Sequence, residues 1–75
     1  MSAKKRIVYP NLEAEIAGHG IRKYKIAENL EITPRTLSKK LSGEVRFTVE
    51  EAIQIQEQWF SNLPINELFR RAKES

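Results

Sequence analysis

Between Ile21 and Gly43 the chain reads IRKYKIAENLEITPRTLSKKLSG, and this stretch commits it to two short amphipathic helices joined by a tight turn. The first helix is expected from about Arg22 to Leu30, where Ile26, Ala27 and Leu30 recur at the three- and four-residue spacings that share one buried face. Ala27 is small enough to let a second helix approach closely. The second helix is expected to start at Thr33, a good N-cap, with Pro34 in the first helical position, where its missing N–H costs nothing. It stops at Ser42-Gly43. Leu37 and Leu41 then face the core, while Arg35, Ser38, Lys39 and Ser42 lie together on the opposite, outward side.

The remainder of the chain supplies helices to cover this unit. Tyr9-Pro10-Asn11 opens a helix that carries Leu12 and Ile16 and ends in Gly18-His19-Gly20, where a glycine can take the left-handed closing conformation. After Gly43 the loop GEVRFT leads to Thr48, which with Glu51 forms a capping box for a helix carrying Val49, Ala52, Ile53, Ile55 and Trp59. Leu63-Pro64 interrupts, and Ile65, Leu68 and Phe69 mark a last short helix before the charged RRAKES. The expected fold is therefore all-α, a compact five-helix domain over residues 9–75, preceded by a basic N-terminal arm over residues 1–8. That arm, with the bases of SAKKR, is either a plain disordered terminus or a segment that follows a polyanion.

A chain of 75 residues allows one small domain. It has no cysteine and a single histidine, so disulfides and thiolate metal sites are excluded, and His19 reads as a surface residue near terminal helix carbonyls. There is no glycine-rich phosphate loop and no pair of acids converging on a pocket, so no enzyme and no cofactor are expected. No apolar run approaches the roughly 18 residues of a membrane span, and the N-terminus lacks the apolar core of a signal peptide, so a cytoplasmic location is expected.

Charge is unevenly spread. Residues 22–46 hold seven bases and three acids, whereas residues 47–75 hold three bases and five acids. A cationic centre beside an acidic C-terminal part steers a polyanion toward the two central helices, although a merely solvated basic face has the same composition.

The pattern IAENLEITPRTLSKKLSG, with YPNLEAEI before it and FTVEEAIQI and ELF after it, resembles the Cro/CI-type (XRE) helix-turn-helix of phage repressors. In size and layout the chain is also similar to small Cro-like modulator-of-repression proteins of temperate phages. The resemblance implies a lambda-repressor-like domain of a bacterial host's cytoplasm that binds double-stranded operator DNA, usually as a homodimer, to regulate transcription. It implies a phosphate contact for Lys23, base-edge or nearby phosphate contacts for Arg35, Thr36, Ser38 and Lys39, and backbone contacts for Ser42, Gly43 and Arg46. The chain departs from the family in having Lys23 where glutamine is common and Glu31 where the turn usually has glycine.

The physical case agrees with the resemblance. The major groove admits one helix, Arg35 or Lys39 can donate to guanine O6 and N7, and Thr36 can touch a thymine methyl. Lys23, Lys25, Lys40 and Arg46 flank that helix as phosphate contacts, and the Tyr24 hydroxyl either reaches a phosphate or leaves its ring packed on neighbouring stems.

Trp59, Phe60, Leu63, Ile65, Leu68 and Phe69 are more apolar bulk than so small a domain is expected to bury, which marks one side of this region as a partner or dimer surface. A second class of function follows, an antirepressor-like modulator that binds a phage repressor protein. An antitoxin on the same fold is a further alternative.

Overall fold

The computed structural model describes residues 7–72. Most of the expected basic arm, residues 1–6, and the final residues 73–75 lie outside the described residues. Five helices follow in order: α1 (Pro10–Gly18), α2 (Lys23–Leu30), α3 (Pro34–Leu41), α4 (Val49–Trp59) and α5 (Ile65–Leu68). Among the described residues there is no strand.

The starts of α3 and α4 follow from local chemistry. Thr33 accepts a hydrogen bond from the Thr36 amide at 3.1 Å, and Pro34 occupies the first turn. At α4 the capping box is complete: the Glu51 amide donates to the Thr48 hydroxyl and the Thr48 amide donates to the Glu51 carboxylate, both at 3.0 Å.

The first three helices end by one device. Gly20 (φ 65°), Glu31 (φ 61°) and Gly43 (φ 86°) all turn into the left-handed region. Each is the pivot of a paired closure in which two successive amides fold back onto carbonyls of the last turn. The pairs are Gly20 to Ala17 and Ile21 to Ile16, Glu31 to Glu28 and Ile32 to Ala27, and Gly43 to Lys40 and Glu44 to Lys39, all between 2.9 and 3.1 Å. The middle closure sets the turn between α2 and α3.

The helices gather around Leu12, Ile16, Ile26, Leu37, Leu41, Ile55, Phe60 and Leu68, all buried. Ala27 is fully buried in the core, and α2 packs against α3. Tyr9, Phe47 and Phe69 meet edge to face with centroids 5.3–6.0 Å apart, an aromatic group at the edge of the same core to which the loop between α3 and α4 contributes Phe47. The two ends of the described chain are stitched together by the Ala72 backbone amide donating to the Val8 carbonyl (2.8 Å) and the Asn11 side-chain amide donating to the Glu67 backbone carbonyl (2.7 Å).

The expected apolar surface near the C-terminus is corrected by this packing. Phe60 and Leu68 are 1% and 2% exposed, members of the core rather than of a surface, because α5 turns back after Pro64 onto α1 and α4. Trp59, Leu63 and Phe69 are partly buried against the same core, and Ile65 is half-buried. Apolar side chains are exposed elsewhere, chiefly Val49 (75%), with Val45 and Ile53 beside it in the chain.

Glu31 adopts the left-handed conformation that its place in the turn demands, at a cost on the order of 1 kcal/mol relative to glycine. Glu31→Gly is expected to stabilise the domain by up to about 1 kcal/mol, raising Tm by several degrees in a circular-dichroism melt. An unchanged or lower Tm contradicts this account of the turn.

Candidate nucleic-acid interface

The turn at Glu31 sends α3 across α2 with Leu37 and Leu41 inward, 1% and 4% exposed. Arg35, Ser38, Lys39 and Ser42 are consequently exposed on its far side, as their spacing requires. Thr36 differs from these: it is half-buried, and its hydroxyl oxygen accepts from the Thr33 hydroxyl at 3.0 Å as part of the cap. The Ser42 hydroxyl donates back to the Lys39 carbonyl at 3.0 Å, which orients it toward its own helix. Gly43 lies against Val8, where an added Cβ would stand 3.0 Å from a valine methyl.

The start of α2 is a second exposed basic segment. Its N-terminus has neither a capping side chain nor an acid in the first turn, so its amide dipoles are left uncompensated by the helix itself. Arg22, Lys23, Tyr24 and Lys25 surround that end and are all exposed. Lys23 is half-exposed and forms an ion pair with Glu13 of α1 at 3.0 Å, so its ammonium must exchange one anion for another to reach a phosphate.

Lys40 does not join the face. Its side chain is only 8% exposed, with the ammonium 3.0 Å from Glu51, 3.2 Å from the Arg46 carbonyl and 5.9 Å from the centre of the Phe47 ring. A phosphate contact by Lys40 is therefore withdrawn: the group is spent on the junction between α3 and α4, and exposing it would strand Glu51. Arg46 itself is exposed, and among the described residues its guanidinium pairs with no carboxylate.

Glu51 serves both the capping box and Lys40. Burial pushes its carboxyl upward, but the Thr48 amide, the Lys40 ammonium and the Thr48 hydroxyl outweigh that and hold it below the ordinary 4.5. Its cap was legible in the sequence, because the partners are three residues apart. Its pairing with Lys40 was not, because that contact crosses a loop of irregular backbone. Among the described residues no group of three or more His, Cys, Asp or Glu side chains could hold a metal ion, and no helix is long and apolar enough to cross a membrane.

The same arrangement of helices occurs in a protein of known structure. The chain is similar to a transcriptional regulator from Listeria innocua, seen in a crystal structure, with 30% identity and a TM-score of 0.70. The match covers 89% of this chain and 61% of that one, so the present chain spans under two thirds of its relative's length. No family model matches the sequence, and no curated protein matches it.

The Glu51 pairing sets a pH dependence. Because its folded-state pKa lies below the unfolded value, the stabilisation is complete above about 4.5 and is lost as pH falls through the lower folded value. Glu51→Gln retains a capping oxygen but no charge, so it is expected to melt below wild type near neutral pH. The gap should shrink as the pH is lowered to about 3. A gap that stays constant with pH in thermal melts contradicts the charge assignment.

Proposed function

We propose that the chain is a DNA-binding transcriptional regulator of the Cro/repressor type, with α3 as the helix that enters the major groove of operator DNA. The observation that carries this reading is the exposed row Arg35, Ser38 and Lys39 on α3, together with the exposed, uncapped and base-rich start of α2. A helix held by Leu37 and Leu41 and outwardly polar is the form the groove accepts. The likeness to a transcriptional regulator supports a regulatory role.

In this reading Arg35 and Lys39 donate to acceptor edges such as guanine O6 and N7, Ser38 reads a nearby edge, and the Thr36 methyl meets thymine. Lys23, Tyr24, Lys25, Ser42, Gly43 and Arg46 meet phosphates, which set register and most of the affinity rather than base choice. Lys23 contributes less than its charge suggests, since Glu13 already neutralises it. Two copies on a two-fold site would double both sets of contacts.

A second reading rests on Val45, Val49 and Ile53, the exposed apolar residues around the start of α4. These suit a modulator that binds another regulator, such as a phage repressor, with the helix-turn-helix as scaffold.

Fluorescence anisotropy of a labelled mixed-sequence duplex, titrated at several salt concentrations, tests the first reading. Binding is expected to weaken with a log–log slope equivalent to several released counterions, and Lys25→Ala should reduce that slope by about one. On a selected site, Arg35→Ala and Lys39→Ala should each weaken binding by about 1–3 kcal/mol and relax base preference at one position. Absence of binding even at low salt overturns this reading in favour of a protein-binding modulator.

A further inference from the structure

The segment between α3 and α4 is the least supported backbone near the candidate face. Glu44 and Val45 are anchored by their amides to the Lys39 carbonyl at 2.9 and 3.2 Å, and Thr48 is anchored by the capping box. Between them, among the described residues, Arg46 and Phe47 take part in no backbone–backbone hydrogen bond. The Lys40 ammonium is what holds this gap, donating to the Arg46 carbonyl at 3.2 Å while its charge is met by Glu51 at 3.0 Å. Glu51 is in turn fixed by Thr48, so three elements are joined at one nitrogen: the end of α3, the loop and the first turn of α4.

Burying an ammonium and a carboxylate costs desolvation that their attraction only roughly repays, and a well-packed apolar pair at such a place is commonly as stable. The ion pair's directional bonds specify where the loop backbone lies, which apolar packing would leave open. What that loop carries is Arg46, exposed and, among the described residues, paired with no carboxylate.

We infer that Lys40 is a positioning residue for nucleic-acid binding: buried beneath the loop and anchored on Glu51, it fixes the Arg46 backbone so that the Arg46 guanidinium meets a DNA phosphate. Lys40 itself touches no nucleic acid. The inference rests on the DNA-binding reading above and adds a division of labour to it. Of the adjacent lysines at the end of α3, Lys39 faces outward to the ligand and Lys40 inward to shape the contact made by a residue six positions later.

The test is a mutant cycle on DNA affinity and its salt dependence, using the whole chain and the labelled duplex. Arg46→Ala removes the proposed contact and should weaken binding roughly eight-fold at about 0.1 M salt, lowering the log–log slope by about 0.9. Lys40→Met with Glu51→Gln removes both charges and keeps the α4 cap. This pair should produce the same loss and the same reduced slope, while the melt stays cooperative. Combining all three changes should lose nothing more, because the same phosphate contact is already gone. Multiplying losses with a slope reduced by about two would mean that Lys40 contacts phosphate directly, and would overturn the inference. Wild-type affinity in the Lys40→Met, Glu51→Gln protein would overturn it by showing that the pair serves the fold alone. An Arg46→Ala protein that binds like wild type would overturn it as well. If the paired variant fails to fold, Lys40→Met alone, which removes the bond to the Arg46 carbonyl and leaves the Thr48–Glu51 cap in place, enters the same cycle with the same expected non-additivity. Failure of the wild-type protein to bind DNA at low salt would instead remove the DNA-binding reading itself, an outcome distinct from additivity.

Discussion

The direction of α3 depends on a left-handed backbone at Glu31. A helix that ends in ordinary right-handed geometry runs on or frays, whereas the paired bonds from Glu31 and Ile32 back to Glu28 and Ala27 end α2 at a defined residue and redirect the chain. Thr33 then caps the next helix two residues later. The inward places of Leu37 and Leu41 and the outward places of Arg35, Ser38 and Lys39 follow from that one change of direction. The residue bearing it is a glutamate, so the turn is held against a local preference by the packing of Ile26, Ala27 and Leu37 beneath it.

What was legible in the sequence was whatever is decided within about one helical turn. The caps at Thr33 and Thr48, the stops at Gly20 and Gly43, and the alternation of buried and exposed positions along α3 all depend on near neighbours, and the structure has them where the spacing puts them. What was not legible depends on residues distant in the chain. Lys40 reads as one more base in a basic helix until the loop brings Glu51 over it. Phe60 and Leu68 read as surplus bulk because counting apolar residues ignores that the short α5 folds back over α1 and α4. The converse holds for Val49, which counts among the apolar residues of α4 by composition and faces solvent by geometry.

The basic centre is less uniform than its sequence suggests. Of its lysines, Lys23 is partly neutralised by Glu13 and Lys40 is withdrawn to Glu51. Lys25, Arg35, Lys39 and Arg46 are exposed, and among the described residues none of them pairs with a carboxylate. They are distributed over the start of α2, the outer face of α3 and the following loop, so the field they create spans several elements. Such a field orients an approaching polyanion before any side chain touches it. The acids of residues 47–75 meanwhile give that part of the chain the opposite sign.

The bonds joining Val8 to Ala72 and Asn11 to Glu67 bring the first and last described residues to one spot on the molecule. Val8 also rests against Gly43, just beyond α3, so that spot borders the end of the outward-facing helix. The described chain thus enters and leaves beside the same end of α3.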